Sequence, residues 1–246
     1  MSTLLRKLSL SALVASMALT AGNLLAGDAA PAARPDLSGV WLPNAKASGR
    51  WPDERPYTKA MLDLRAQWTK TNSPFDIGRD DDHTSCLPYT LPFMITTITQ
   101  YPFEIVSTPR RLYFFTETFG QVRRVDIDSA AKAGDALPSR TGVSRGHWEG
   151  DQLVIETTNI LVENEGSRFP SSPALRVVER LSLVDGDSGK QLIDEMTIHD
   201  PPVYEKPFTI RMVYKPATGI EVGEYICQQD LWDQHVDGST SKIPWR

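Results

Sequence analysis

Hydrophobic positions along this chain follow two different periods. From Pro56 to Trp68 (PYTKAMLDLRAQW), Met61, Leu64 and Trp68 recur at helical spacing, and Thr58 stands where an N-cap would. That stretch is read as a helix. From Phe103 onward the period is two. Phe103–Ser107, Arg111–Thr116, Gln121–Asp126, Val143–Trp148, Leu153–Thr158, Leu175–Leu183, Gln191–Ile198, Pro207–Tyr214 and Glu221–Cys227 each alternate in the manner of a strand. Asp36–Trp41 adds a short strand before the helix, so about ten strands are expected. Most of the connections carry Gly beside polar residues, as tight hairpins require. No alternating strand–helix–strand units occur, which excludes a doubly wound sheet. A meander this long must hide its edges by closing into a barrel or by packing two sheets together.

The first 35 residues do not belong to that pattern. Arg6-Lys7 precedes a short apolar run, Leu8–Leu19, and small residues follow to Ala26-Gly27. The order is that of a Sec signal peptide, 1–26, with cleavage expected near Ala26. The apolar run is shorter than the roughly 20 residues a membrane-spanning helix needs, so no transmembrane span is expected in the mature chain. Residues 27–35 read as a flexible tether. Residues 36–246 then form one barrel domain, with the helix and a loop inserted at about 51–92. The expected location is periplasmic or secreted.

Composition changes this picture little. The chain has 246 residues, 40% hydrophobic and 23% charged, with a formal net charge of -5. These are ordinary globular values. The absence of a basic stripe argues against a nucleic-acid partner. Export does bear on the two cysteines, Cys86 and Cys227: an even pair in an oxidising compartment suggests a disulfide, although two buried free thiols would also satisfy the count.

The residues Gly39-Val40-Trp41, on the first strand after a signal peptide, resemble the G-x-W signature of lipocalins and other calycins. That resemblance implies an up-and-down antiparallel meander closing into a lipocalin-like β-barrel, with the Trp plugging one end. Here the helix lies near the N-terminus, whereas lipocalins carry it near the end. The wider pattern resembles a large family of mostly uncharacterised secreted bacterial proteins. It is carried by Asp36–Trp41 (DLSGVW), Pro102–Ile105, Gly146–Asp151 (GHWEGD) with Leu153–Thr157, Val178–Arg180, Asp200-Pro201 and Glu224–Cys227 (EYIC). It implies no established reaction.

Candidate chemistry comes from the alternation. Glu179 shares a strand face with Leu175, Val177, Leu181 and Leu183, and Asp194 shares one with Leu192, Met196 and Ile198. Glu224 lies between Val222 and Ile226. Arg124 is taken with Val122 as the inward pair of its strand, opposite these carboxylates. Buried charges must pair, or meet water or a ligand. Glu179, Asp194, Glu224 and His147 are therefore the candidate acid–base residues. Arg124, Arg145, Tyr113, Phe115, Trp148 and Tyr214 are the candidate ligand contacts. The alternative is a set of structural ion pairs between strands.

Two other patterns carry less. Gly142–Gly146 (GVSRG) matches the G-x-S-x-G expression, but no helix follows it as a nucleophile elbow requires. It reads as a Gly-rich entry to a strand. His83, His147, His199 and His235 show no ligand spacing, and Asp80-Asp81-Asp82-His83 lacks the Gly and Glu of a calcium loop. No metal or other cofactor is expected. Three functions follow: a barrel binding a small apolar or amphipathic molecule; a lyase, isomerase or hydrolase using carboxylate, His and Arg chemistry on the same scaffold; and an envelope interaction protein with a filled barrel and an apolar outer patch.

Overall fold

A computed structural model describes residues 34–71, 88–96, 101–129, 136–163, 167, 169–186 and 189–226. The segment expected to be a signal peptide, Cys86, Cys227, His83 and His235 lie outside these residues, as does the acidic cluster at 80–82.

Among the described residues nine strands close into one barrel in sequence order. They are β1 (Gly39–Pro43), β2 (Phe103–Thr108), β3 (Arg111–Thr116), β4 (Val122–Ile127), β5 (Val143–Glu149), β6 (Gln152–Thr158), β7 (Arg176–Gly186), β8 (Gly189–His199) and β9 (Phe208–Pro216). Closure comes from β1, which pairs with β2 through Trp41↔Phe103 and with β9 through Trp41↔Pro216. Both edges are then used, and every strand has two neighbours. The expected barrel is therefore present.

Two details differ from the expected meander. The pairing of β4 with β5 is parallel, whereas all the others are antiparallel. A parallel neighbour needs a crossover of a dozen or more residues, and the chain from 128 to 142 supplies it. The expected tenth strand does not form: residues 221–226 are irregular and mostly exposed. The edge of β9 that such a strand would need is already occupied by β1.

The helix α1 runs from Lys59 to Thr71, three residues later than read from sequence at each end. Thr58 caps it, with Thr58 Oγ1 accepting from the Met61 backbone N–H at 3.2 Å. Its contact with the rest is narrow: Met61 is buried, while Leu64 is 47% exposed. A second short helix, α2 (Phe93–Thr96), was not anticipated; it buries Phe93 and Met94.

The core is the barrel interior. Trp41 is buried within it, and its indole N–H donates to the Leu37 carbonyl at 3.0 Å. The alternate residues Val177, Leu181, Leu192, Met196, Ile198, Ile210 and Met212 of β7, β8 and β9 fill the space. One inward position, Gly146, leaves little room for a side chain. A Cβ at Gly146 on β5 would stand 2.7 Å from Ile127 Cδ1 and 3.2 Å from both Leu153 Cδ1 and Val125 Cγ1. The backbone of β5 therefore approaches the interior closely beside the parallel strand. The motif that resembled a nucleophile elbow is the start of this strand.

Candidate functional site

Four polar side chains meet inside the barrel. Arg123 enters from β4, Ser144 from β5, Thr157 from β6 and Glu179 from β7. Strand alternation puts each inside: Arg123 shares its face with Val125 and Ile127, and Glu179 with Val177 and Leu181. Arg123 and Glu179 are each 1% exposed. The Arg123 guanidinium grips Glu179 bidentately. Nη1 donates to Oε1 at 2.8 Å and Nη2 donates to Oε2. Arg123 Nε donates to Ser144 Oγ at 3.0 Å and Nη2 to Thr157 Oγ1 at 2.9 Å, and the two hydroxyls bond each other at 2.8 Å. The guanidinium also lies over the Phe114 ring, 5.5 Å from its centroid. One positive and one negative charge thus cancel within a nearly saturated network.

Asp194, on β8, is the second carboxyl of the interior and has no cation of its own. It is 3% exposed, and its Oδ1 has no hydrogen-bond partner. Burial, and then the Glu179 carboxylate, hold the Asp194 carboxyl well above the usual carboxylate range; a hydrogen bond with Glu179 acts in the same direction. The protonated form of Asp194 is therefore favoured over that of an exposed carboxyl. Tyr214, on β9, is 2% exposed, and its hydroxyl is likewise without a partner. Burial and the nearby carboxyls push its phenol up as well.

Asp194 and Tyr214 share one cavity of about 40 Å³, which Arg123 and Glu179 also touch. Phe103, Phe114, Leu181 and Leu192 supply apolar wall; Met94 and Ile95 of α2 and Tyr101 add to it. The buried Thr118 hydroxyl, on the turn between β3 and β4, is a third wall atom with no partner. By volume the cavity holds a few water molecules or the polar end of a small molecule.

The structure thus brings together three of the residues expected at the site: Glu179, Asp194 and Tyr214. The others lie elsewhere. Arg124 points outward, its side chain 57% exposed, and Arg123 occupies the inward position. The face was misassigned because Gln121–Asp126 holds one Val and one Arg on each face. Within that window Asp126 already falls on the Arg124 face, and continuing to Ile127 adds an apolar residue to the Arg123 face, which identifies the inward side. Tyr113 and Phe115 are also outside, stacked on one another with ring centroids 6.2 Å apart, while Phe114 points in. Arg111 on their face was the available sign. Arg145 and His147 lie on the outer face of β5, opposite to Ser144 and Gly146. His147 is exposed and bonds Glu149 at 3.1 Å. Trp148 is half-buried and lines a separate open depression of about 430 Å³, with Leu112, Ile127 and Arg34. Glu224 is exposed on the irregular segment past β9, so no strand alternation orients it.

Sequence reasoning missed Arg123, Ser144 and Thr157. In the sequence Ser144 stands out only through the G-x-S-x-G match; its hydroxyl is a buried partner of Arg123 and Thr157. Thr157 carried no signal beyond its place after Leu153 and Ile155. Among the described residues no group of three or more His, Cys, Asp or Glu could hold a metal ion, and no helix is long and apolar enough to cross a membrane. No protein-family model matches the chain, and no curated protein matches it either.

Proposed function

We propose that this is an exported, calycin-like barrel that binds a small apolar or amphipathic molecule, with the polar end of that molecule reaching Asp194 and Tyr214. One observation carries the reading. Two buried polar atoms, Asp194 Oδ1 and the Tyr214 hydroxyl, lack partners and face one aromatic-walled cavity. A buried polar group without a partner costs on the order of 1–3 kcal/mol, so two on one wall favour a ligand or water that satisfies them. The neighbouring Arg123 and Glu179 are already satisfied by protein groups and leave the cavity electrically neutral. Export rests on the N-terminal pattern of charged, apolar and small residues.

Native mass spectrometry of the purified protein tests this. A small molecule should co-purify with the wild type and be lost from Thr116→Phe, which places bulk on the cavity wall. A ligand-free protein that also fails to bind lipophilic probes would end the proposal.

Asp194 supports a second reading, acid–base catalysis on the same scaffold. A carboxyl held toward its protonated form beside an ion-paired one, both on a cavity, can hand a proton to a bound molecule. In that reading Asp194 is the acid, and the Arg123–Glu179 pair positions it. Mass spectrometry separates the two: Asp194→Asn would retain a molecule that the wild type has converted, seen as a different bound mass.

A further inference from the structure

The chemistry of the unpartnered groups narrows the class of ligand. Of the five Arg123 N–H bonds, four are committed to Glu179, Ser144 and Thr157. Both Glu179 oxygens are held by Arg123. An incoming carboxylate or phosphate would therefore find no free cation and would face the Glu179 negative charge at short range. An incoming ammonium would be stripped of water in a space walled by Phe103, Leu181 and Leu192, and the Phe114 ring already accepts Arg123. The unpartnered atoms on the wall are Asp194 Oδ1 and the hydroxyls of Tyr214 and Thr118, and the first two stand together on β8 and β9. Asp194 Oδ1 is buried, lines the cavity and has no partner, and a carboxyl oxygen can accept. The Tyr214 O–H has nothing to donate to. Asp194 and Tyr214 stand on the paired strands β8 and β9 on one inward face. Asp194 is opposite Met212 and Tyr214 is opposite Leu192, so the two are diagonal neighbours.

We infer that the ligand presents an uncharged hydroxyl, which donates to Asp194 Oδ1 and accepts from the Tyr214 hydroxyl, and that the site excludes the corresponding carboxylate. This rests on the binding function proposed above and names the chemical class that such a pocket takes. A single alcohol satisfies both groups at once, because a hydroxyl is donor and acceptor in one atom. An ether or ketone of the same size satisfies only Tyr214. Its apolar body lies along Phe103 and Leu181 toward Met94.

The test is a methyl-NMR titration of the full chain at pH 7, following Leu181 and Leu192, with four slender probes. They are hexan-1-ol, its isomer 1-methoxypentane, hexanoate and hexylamine. Hexan-1-ol should bind about fivefold more tightly than the ether, the worth of one neutral hydrogen bond, and more than about tenfold more tightly than either ion. Tyr214→Phe should weaken hexan-1-ol by about fivefold. Asp194→Asn, which keeps an acceptor oxygen, should leave hexan-1-ol within about threefold of wild type. Equal or tighter binding of hexanoate or hexylamine overturns the inference and leaves the pocket reading standing. So does an ether that matches the alcohol. If none of the four shifts the Leu181 and Leu192 methyls, the pocket reading falls and takes the inference with it.

Discussion

Glu179 and Arg180 are consecutive on β7, yet they belong to two different electrostatic regions. Glu179 points inward, is 1% exposed and is held by Arg123. Arg180 points outward, its side chain is 41% exposed, and it bonds Glu149 at 2.7 Å and Gln152 at 2.9 Å on the outer surface of β5 and β6. Arg176, further along the same outer face, pairs with Glu156 at 2.9 Å. The outer set forms a ladder of cross-strand pairs in water, which screens them and competes for each partner. Arg180, and then His147, hold the Glu149 carboxyl below its usual range, but solvent limits what that is worth. The inner set has no solvent to fall back on. There, losing one partner strands the other in a low-dielectric space. The same two residue types, one peptide bond apart, are interchangeable with water on one face and indispensable to each other on the other.

Removing one inner partner should have the largest effect. Arg123→Met strands Glu179 and is expected to destabilise the protein by about 3–5 kcal/mol, read as a lower urea midpoint. A loss of under about 1 kcal/mol would show that water reaches the site as it reaches the outer ladder.

Removing both should undo most of that loss. Arg123→Met with Glu179→Met leaves no buried charge, and Ser144 and Thr157 still bond each other. The double variant is expected within about 2 kcal/mol of wild type, on either side. Additive losses in the same urea experiment would mean that the pair stabilises the barrel outright and that its apolar replacement packs badly.

Asp194 sharpens the contrast through pH. Its unfolded value is about 3.9, and its folded value is raised well above that. Between the two, the folded state binds one more proton than the unfolded state. Wild-type stability should therefore fall as pH rises, by about 1.4 kcal/mol per unit from this group. Asp194→Asn removes that contribution. The difference between the two proteins should be flat below about pH 4 and then grow in favour of the Asn variant. Parallel curves from pH 4 upward would mean that Asp194 ionises like a surface carboxylate.

The outer ladder should yield the smallest effect. Arg176→Gln is expected to change unfolding free energy by less than about 0.5 kcal/mol, and by less still in high salt. A loss comparable to that of Arg123→Met would erase the distinction between the two regions.

How much of this was legible before the fold varied with strand length. β7 and β8 are each 11 residues long, and their alternation puts Glu179 and Asp194 on apolar faces with little ambiguity. β3 and β4 are 6 residues each, and in both a misleading residue sits on each face. Tyr113 and Phe115 look like core, and Arg124 looks as eligible as Arg123. Hydrophobic identity alone could not choose between faces until the next residue along was counted.

The chain's own pattern determined that there would be a run of antiparallel ribbons, a capped helix ahead of them and carboxyls among apolar neighbours, because period-two alternation and capping are local properties. Which guanidinium meets which carboxylate, that β4 lies parallel to β5, and that β1 rather than a tenth strand closes the barrel were decided only in three dimensions. Each depends on strands far apart in sequence competing for the same hydrogen-bonding edge or the same enclosed volume, and no local window contains both competitors.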